Sequence, residues 1–363
     1  MSLNSYVTLG KSGLRVSPLC LGTFTFGEDW GVGATPQEAE TILARYQELG
    51  GNFVDTANIY TNGHSEKIIG DVLGRKSSKR DRLVIGTKGG NNLYPGDPNG
   101  GGNSAKSIIE QCEQSLRRLQ TDYIDLYWLH HWDWNTPVEE TMKALNKLVD
   151  SGKVRYLGVS DTPAWQVAHA QTMAQLRDWT PFIGLQVEHS LLERTVEVEL
   201  IPMAQALGLG VMPWSPLKGG LLSGKFTRAN AGQVGGSRAE TNGSVSLLGE
   251  KAYAIIDRLA ELAKVHQATP AAVALAWVVG RPGVTATLIG ARRLDQLEAN
   301  VAALDIRLST EEVASLDTLS APAPTFISSH QPTTNRFQHG GISLNGITPL
   351  ELPMTPKSDK DRY

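Results

Sequence analysis

The sequence is poor in cysteine, in net charge and in long apolar runs, and each scarcity excludes a class of protein. Its 363 residues include only two cysteines, Cys20 and Cys112, which are too few for a disulfide framework and suit a reducing compartment. The formal net charge of −3 gives no field that attracts nucleic acid or an anionic membrane. No run reaches the roughly 18 apolar residues of a membrane-spanning helix, and the N-terminus MSLNSYVTLGKSG lacks the apolar stretch of a signal peptide. We therefore expect a cytoplasmic protein with no nucleic-acid or membrane partner.

Short strand-like segments alternate with amphipathic helical segments along most of the chain. The segments with strand character are 17–23, 52–57, 83–89, 123–130, 154–161, 183–189, 209–215 and 285–291. The helical segments are 35–50, 64–74, 104–120, 137–152, 163–177, 197–208 and 251–267. In segment 104–120, Ile108, Cys112, Leu116 and Leu119 fall on one helical face, and Ser104 stands at the N-cap position.

This alternation predicts an α/β fold in which a parallel sheet closes into a (β/α)8 TIM barrel. The rival fold is a doubly wound open sheet, which normally uses fewer strands. The Gly-x-Gly-x-x-Gly phosphate turn of that rival is also missing from this sequence.

Three segments fall outside the alternation. Long loops follow the third predicted strand, at 91–103, and the seventh, at 218–247, so both belong to the barrel face where such enzymes keep their chemistry. The chain after about 321 contains six of the 18 prolines and shows no helical period. We expect one barrel domain over 1–320 and an irregular, proline-rich tail over 321–363 that associates with the barrel.

Polar residues with complementary chemistry follow three successive predicted strands. Asp55 and Tyr60 follow the second, Lys88 the third and His130 the fourth. In a barrel these strand ends converge on one mouth. Carbonyl reduction needs a proton for the oxygen, and a tyrosine hydroxyl can supply it if a neighbouring ammonium stabilises the phenolate. The attraction between these two charges is about 4 kcal/mol at a separation of 4 Å and an effective dielectric near 20. Lys88 fits that role, with Asp55 orienting it and His130 donating a hydrogen bond to the carbonyl oxygen.

Each of these residues also has a plainer interpretation when taken alone. Asp55 is typical of a helix cap or loop ligand, Lys88 of a solvated loop lysine, and His130 of a satisfied core histidine. Adjacent strand residues point to opposite faces, so His130 and His131 are not expected to share a metal ion, and we predict no metal site. The joint placement of the four polar residues at one mouth favours the catalytic interpretation.

Seven motifs resemble the aldo-keto reductase superfamily. They are NFVDTANIY, GTKGG, TDYIDLYWLHHWD, KVRYLGVSD, LQVEHSLLER, PWSPLKGGLLSGK and GARRLDQLEAN, in family order, within residues 1 to about 320. The chain resembles bacterial-type NADP-dependent members, which are related to the branch that contains potassium-channel beta-subunit-like proteins. The resemblance implies that Asp55, Tyr60, Lys88 and His130 form the family's catalytic tetrad.

The resemblance also implies an NADP(H) site. It places Thr23 beside the nicotinamide ribose, Ser160 and Gln186 at the nicotinamide amide, and Trp214 against the nicotinamide ring. The implied pyrophosphate residues are Ser215, Leu217, Gly219 and Lys225, and the implied adenosine residues are Gly290, Arg292, Gln296 and Asn300. Two positions depart from the family pattern: Asp161 stands where many members have Asn, and Ala299 stands where an acidic adenine contact is frequent.

The sequence thus predicts an NADPH-dependent reductase that converts aldehydes or ketones into alcohols. One alternative is a cofactor-binding regulatory module with weak reductase activity. Another is a barrel lyase or sugar isomerase, which the missing acidic metal cluster disfavours. The partner expected is a small aldehyde or ketone, in a pocket lined by the aromatic residues Phe24, Trp30, Tyr94 and Trp132. The sequence does not indicate an oligomeric state.

Overall fold

Every strand of the barrel predicted from the sequence is present in the structure, which is a computed structural model. The structure describes residues 1–74, 78–230 and 243–362, with only the backbone of 331 and 332. A short hairpin of β1 (Val7–Thr8) and β2 (Arg15–Val16) precedes the barrel. The barrel strands are β3 (Leu19–Gly22), β4 (Phe53–Asp55), β5 (Val84–Gly89), β6 (Ile124–Leu129), β7 (Val154–Ser160), β8 (Phe182–Glu188), β9 (Gly210–Trp214) and β10 (Thr287–Gly290).

The eight strands are parallel and follow one another around the barrel in chain order. Strand β10 returns to pair with β3, in a register that places Thr287 beside Leu19. On its other side a parallel bridge joins Val211 to Val284, and the Thr285 N–H donates to the Val211 carbonyl at 2.8 Å. The sheet therefore closes into the predicted (β/α)8 TIM barrel and leaves no open edge for the doubly wound alternative.

Eleven α-helices in the described part of the chain follow or flank the strands. They are α1 (Pro36–Glu48), α2 (His64–Leu73), α3 (Ala105–Leu119), α4 (Val138–Asp150), α5 (Ala164–Arg177), α6 (Leu200–Leu207), α7 (Glu250–Val265), α8 (Pro270–Val279), α9 (Leu294–Val301), α10 (Thr310–Ser320) and α11 (Phe326–His339). In α3 the four residues of the predicted apolar face are all buried, and the Ser104 hydroxyl accepts from the Ser107 N–H as an N-cap. The sequence prediction missed α8, α9 and α10.

A tryptophan fills the inside of the barrel. Trp128 of β6 is fully buried among side chains from several strands. A Cβ on Gly158 would lie 2.2 Å from the Trp128 ring, and one on Gly184 would lie 3.0 Å from it. The two glycines on β7 and β8 therefore make the space that the indole occupies, and they give the site at the barrel mouth a rigid floor.

The long loops after β5 and β9 are present where the sequence predicted them. Residues 91–103 contain no helix or strand. Within 218–247, the short 3-10 helices Lys218–Ser223, Arg228–Asn230 and Ser244–Leu247 are described, and residues 231–242 lie outside the described residues. Cys20 and Cys112 are both buried and free. No helix among the described residues is long and apolar enough to cross a bilayer.

The chain divides into two compact units, 1–320 and 321–363. The expectation that the tail is irregular was wrong over Phe326–His339, which form α11. This helix begins with a capping box in which Thr325 and Ser328 each bond the other's backbone N–H. The apolar residues Phe326, Ile327 and Phe337 of this helix are all exposed, so it has no buried apolar face. The sequence signal that could have predicted the helix is its capping box.

Candidate active site

The four residues of the predicted tetrad come together at the C-terminal ends of β4, β5 and β6. Asp55 ends β4, Lys88 is the penultimate residue of β5, and His130 directly follows β6. Tyr60 lies in the turn between β4 and α2. Because parallel barrel strands end at one mouth, residues 75 positions apart in the chain meet in space.

Lys88 is the centre of this group. Its side chain is fully buried and its Nζ donates to an Asp55 carboxylate oxygen, to the Thr56 carbonyl at 2.9 Å and to the Tyr60 hydroxyl at 3.2 Å. Burial alone lowers the pKa of a lysine, but the Asp55 carboxylate and Tyr60 raise the pKa of Lys88 above its ordinary value. Gln186 Nε2 donates to the other Asp55 oxygen at 3.3 Å. The ammonium is therefore held charged beside the tyrosine hydroxyl.

The turn that carries Tyr60 has an unusual backbone. Thr61, Asn62 and Gly63 all have positive φ, at 46°, 57° and 93°. Thr61 is a β-branched residue, for which this conformation is strained. Its buried hydroxyl donates to the Phe26 carbonyl at 2.7 Å and accepts from the Ser65 N–H at 3.0 Å. These bonds fix the turn against the loop after β3. Sequence reasoning did not single out Thr61, because a positive φ at threonine leaves no mark in composition or periodicity.

His130 is nearly buried, with 9% of its surface exposed, and its ring lies edge-on to Tyr60 at 5.9 Å between centroids. Burial, together with the charge of Lys88, lowers the pKa of His130 well below its ordinary value, so the imidazole is neutral. Asn91 Nδ2 lies 2.7 Å from His130 Nδ1. Asn91 was not among the residues predicted from the sequence.

The expectation that His130 and His131 point to opposite faces was wrong. Their rings stack at 4.4 Å with an interplanar angle of 9°, because β6 ends at Leu129 and strand alternation no longer applies beyond it. Across residues 1–74, 78–230 and 243–362, no group of three or more His, Cys, Asp or Glu side chains is arranged to hold a metal ion.

Of the four predicted pocket aromatics, Phe24 contacts Tyr60 and Trp30 packs against Phe24. The Phe24 ring meets the Tyr60 ring edge-on at 5.1 Å, and Trp30 packs on Phe24 at 4.9 Å. Tyr94 lies in the loop after β5 with 47% of its surface exposed. Trp132 follows His131 and makes an edge contact at 6.5 Å with Trp134, which is itself exposed.

The residues expected near a nicotinamide lie on the adjoining strand ends. Thr23 is fully buried and bonded within the protein: its hydroxyl donates to the Asp55 carbonyl at 3.1 Å and bonds Ser65 Oγ at 2.9 Å. Ser160 on β7 stands in register with Gln186 on β8. The Ser160 hydroxyl is buried and makes no hydrogen bond of good geometry, although it interacts with the Asp161 carboxyl. A buried hydroxyl in that position fits the amide of a nicotinamide ring.

Asp161 is bonded to Trp214 at the rim of the mouth. The Trp214 indole N–H donates to Asp161 Oδ1 at 3.0 Å, and Asp161 has a φ of 42°, in the left-handed region that Asp and Asn tolerate. Neighbouring protein atoms reduce the solvation of Asp161, although part of its surface is exposed, and so raise its pKa to about 6. Both residues line a surface cleft of about 380 Å³. Asp161 therefore restrains the orientation of Trp214.

The segment after β9 contains several residues in the left-handed region of backbone conformation. Ser215, Gly219 and Gly220 have positive φ, at 51°, 64° and 100°, and a Cβ on Gly220 would meet no atom within 4 Å. Lys218 also has a positive φ, of 47°, so residues 218–220 form a run of three left-handed residues. Leu217 lies in this segment, half-buried, and Lys225 is exposed beyond it. Lys218, which was not predicted, is instead paired with Glu188 at 2.7 Å.

The expected adenosine segment begins at the end of β10. Gly290 is exposed, with open space where a Cβ would stand, and its carbonyl accepts from Asn300 Nδ2 at 3.1 Å. Gln296 Oε1 accepts from the backbone N–H of Arg292 at 2.9 Å. The structure gives the Arg292 guanidinium no ion pair among the described residues, whereas Arg293 forms two 3.0 Å bonds with Asp295. Ala299 is half-buried in α9.

A TIM barrel whose mouth holds a charged lysine against a tyrosine hydroxyl has the site of a barrel oxidoreductase. The chain belongs to the aldo/keto reductase family, whose model matches residues 18–321. It is an oxidoreductase of the kind that reduces carbonyl compounds.

The relatives found by sequence carry related names. The chain is 40% identical over 317 residues to the uncharacterized oxidoreductase YrpG of Bacillus subtilis, covering 84% of this chain and 93% of that one. It is 37% identical to norsolorinic acid reductase of Aspergillus flavus, covering 85% and 78%. It is 34% identical to aryl-alcohol dehydrogenase [NADP(+)] of Phanerodontia chrysosporium, covering 84% and 83%.

Proposed function

We propose that this protein reduces aldehydes or ketones to alcohols with NADPH, reversibly, and that Tyr60, Lys88, Asp55 and His130 perform the proton chemistry. The observation that carries the proposal is the position of Lys88 Nζ, which bonds the Asp55 carboxylate and lies 3.2 Å from the Tyr60 hydroxyl. A bound nicotinamide would supply the hydride that the carbonyl carbon accepts. The protein then has to deliver one proton to the oxygen.

Tyr60 donates that proton. When the carbonyl oxygen becomes negative, the O–H bond of Tyr60 breaks toward it, and the phenolate left behind is stabilised by the Lys88 ammonium. Asp55 keeps that ammonium charged and pointed at the hydroxyl. Solvent returns the proton to Tyr60 after the alcohol leaves. In the direction of alcohol oxidation the same groups act in reverse, with the Tyr60 phenolate as the base.

His130 holds the carbonyl oxygen in place. Its neutral ring cannot compete with Tyr60 as an acid, and its N–H can donate to the same oxygen. Phe24 and Trp30 continue from the Tyr60 ring as an apolar wall. This wall supports substrates with a flat aromatic or bulky group, in line with the aryl-alcohol dehydrogenase and norsolorinic acid reductase names among the relatives.

The cofactor assignment rests on residues that fit both ends of a phosphorylated dinucleotide. Ser160 and Gln186 offer buried polar groups to the amide, and Thr23 and Trp214 flank the position of the ring. Backbone N–H groups around Ser215, Leu217 and Gly219, together with Lys225, suit the pyrophosphate. Gly290, Gln296 and Asn300 shape the adenosine end, where Arg292 is free to pair with a 2′-phosphate.

The direct test follows NADPH oxidation with the purified full chain and a panel of carbonyl compounds. We expect turnover of 4-nitrobenzaldehyde, weaker turnover of methylglyoxal and short sugars, and oxidation of an aryl alcohol with NADP+. Tight NADPH binding without turnover of any of these would favour the regulatory module instead. Binding of neither NADPH nor NADH would contradict both interpretations.

A further inference from the structure

The amide of Asn91 contacts one of the two ring nitrogens of His130. Asn91 Nδ2 lies 2.7 Å from His130 Nδ1. An amide NH2 group has hydrogens but no lone pair to offer, so the imidazole nitrogen that faces it must accept. With the amide oriented so that Nδ2 faces the ring, this bond leaves Nδ1 as the nitrogen without a proton.

The charge state of His130 makes this choice consequential. The ring is neutral because it is nearly buried and faces the Lys88 ammonium, with Tyr60 and His131 as its other titratable neighbours. A neutral imidazole has one N–H only. If Nδ1 accepts from Asn91, that single proton is on Nε2.

The surrounding bonds hold Asn91 and His130 in a fixed relation. The His130 N–H donates to the Gly89 carbonyl at 3.0 Å, which ties the residue to the end of β5. Asn58 Nδ2 donates to the Asn91 carbonyl at 2.9 Å, and Gln111 Oε1 accepts from the Gly90 N–H at 2.6 Å. The stacked His131 ring restricts the tilt of the imidazole. Asn91 is therefore held at its base on the same scaffold that holds His130.

We propose that Asn91 is a positioning residue that fixes His130 as the Nε2–H tautomer and so makes it a neutral hydrogen-bond donor to the substrate carbonyl oxygen. The proposal rests on the proposed function for the identity of the acceptor. It divides the work at the oxygen between two groups. Tyr60 gives up a proton, and His130 donates a hydrogen bond without giving one up. With the proton on Nδ1 instead, Nε2 would present a lone pair to the carbonyl oxygen and repel it.

The tautomer can be observed without turnover. Protein labelled with 15N-histidine is studied by long-range 1H–15N correlation at neutral pH, with and without NADP+, and the His130 signals are assigned by their loss in His130→Gln. We expect a protonated Nε2 and an unprotonated Nδ1, whose nitrogen resonates far downfield of an N–H nitrogen. A protonated Nδ1 in the wild-type protein would overturn the proposal.

Two substitutions of Asn91 test whether this residue fixes the tautomer of His130. In Asn91→Asp the carboxylate can only accept, so the proton moves to Nδ1. At pH 9, where the ring is neutral, we expect kcat to fall at least about tenfold, since losing one such donor typically costs about 10²–10³ in kcat. Asn91→Ala removes the bond without forcing the wrong tautomer, so it should cost less. Asn99→Asp, which places the same charge on an exposed side chain of the same loop, is the matched control and should leave both the tautomer and kcat near wild type.

The outcomes separate this proposal from the proposed function. The wild-type protein could show the Nε2–H tautomer, and Asn91→Asp could alter it, without any carbonyl turnover. That result would contradict the proposed function and leave the tautomer assignment standing. Full turnover with an unchanged His130 spectrum in Asn91→Asp would contradict the role of Asn91 and leave the function intact.

Discussion

The two ends of the candidate site differ in how many polar bonds the folded chain already supplies. At the barrel mouth, Lys88 makes three bonds, Asp55 is fully buried, and His130 is bonded to Asn91. At the phosphate end, Lys225 and Gly290 are exposed, and the Arg292 guanidinium has no ion pair within the described residues. The candidate catalytic residues are thus already bonded to one another in the folded chain, whereas the candidate cofactor-binding residues are left for a ligand to contact.

This difference follows from what each end has to do. A proton donor must already be oriented when charge develops on substrate, because reorienting dipoles during the reaction raises the barrier. A phosphate-binding end gains by exchanging solvated side chains for ligand contacts, and it must also release the product cofactor. Substitutions at the barrel mouth should therefore change kcat, and substitutions at the phosphate end should change cofactor affinity.

Tyr60→Phe should have the largest effect. It removes the proton donor and keeps the ring that packs on Phe24, so carbonyl turnover should fall by about 10²–10⁴, the usual worth of general acid catalysis. NADPH affinity, measured by fluorescence titration, should change little because the hydroxyl acts on substrate. Tyr6→Phe, which removes a surface hydroxyl bonded to the Gly50 carbonyl, is the control. More than about a tenth of wild-type activity in Tyr60→Phe would mean that another group is the donor.

Lys88→Met should come next. We expect kcat to fall about a hundredfold, because one ammonium about 4 Å away stabilises a phenolate by up to roughly 4 kcal/mol at an effective dielectric near 20. A positive charge favours the phenolate, so its loss moves the midpoint of the pH–rate profile for alcohol oxidation to higher pH. An unshifted midpoint would show that Lys88 does not act on Tyr60.

Lys88→Met also tests how much the ion pair between Asp55 and Lys88 affects the stability of the folded protein. Removing Lys88 leaves the Asp55 carboxylate buried and uncompensated, which typically costs about 3–5 kcal/mol in the free energy of unfolding. The double variant Asp55→Asn with Lys88→Met removes both charges, and its stability to denaturant should lie closer to wild type than that of Lys88→Met alone. If the double variant is the less stable of the two, the pair is not held together by charge.

Arg292→Ala should act only on cofactor choice. A charged hydrogen bond to a 2′-phosphate contributes about 1.5–3 kcal/mol, so the Kd for NADPH should rise at least about tenfold while the Kd for NADH stays nearly constant. Arg293→Ala is the matched control, since that guanidinium is already paired with Asp295. Equal affinities of the wild-type protein for NADPH and NADH would contradict the assignment of Arg292.

The barrel and the clustering of the tetrad were accessible from the sequence because each depends on a local pattern. Alternating strand and helix segments specify the barrel, and residues at strand ends then converge by geometry alone. The missed helix α8 (Pro270–Val279) shows where pattern fails: it is buried and apolar on most sides, so it has no amphipathic period. Its Thr269 cap and Pro270 were the available signals.

The missed site residues share a different cause. Thr61 acts through a strained backbone, and Asn91 acts through a bond across 39 residues of chain, and neither feature has a sequence period. The stacking of His131 on His130 was also missed, because the strand ended one residue earlier than predicted. Sequence patterns locate residues at the barrel mouth, but the bonds among loop side chains depend on coordinates.

Asp161→Asn should have the smallest effect, and it tests the boundary between the two ends of the site. The carboxyl of Asp161 accepts from Trp214, and loss of solvation raises its pKa above the ordinary value for an aspartate, to about 6. Between about pH 4 and pH 6 the folded protein therefore binds a proton more tightly than the unfolded chain, so this group makes stability fall as pH rises through that window.

An asparagine at position 161 still accepts from Trp214 and has no charge to desolvate. The melting temperature of Asp161→Asn should thus exceed that of wild type slightly at pH 7, and the difference should vanish at pH 4. Asp133→Asn is the comparison of opposite sign: burial opposes ionisation there, but bonds from the Asn103 and Asn135 N–H groups and the Thr136 hydroxyl lower the pKa of Asp133. Loss of that carboxylate should destabilise the protein at pH 7 and matter less in acid. If both substitutions lower the melting temperature at pH 7, the charge of Asp161 stabilises the fold as that of Asp133 does. The group of residues bonded to one another at the barrel mouth would then extend as far as Trp214.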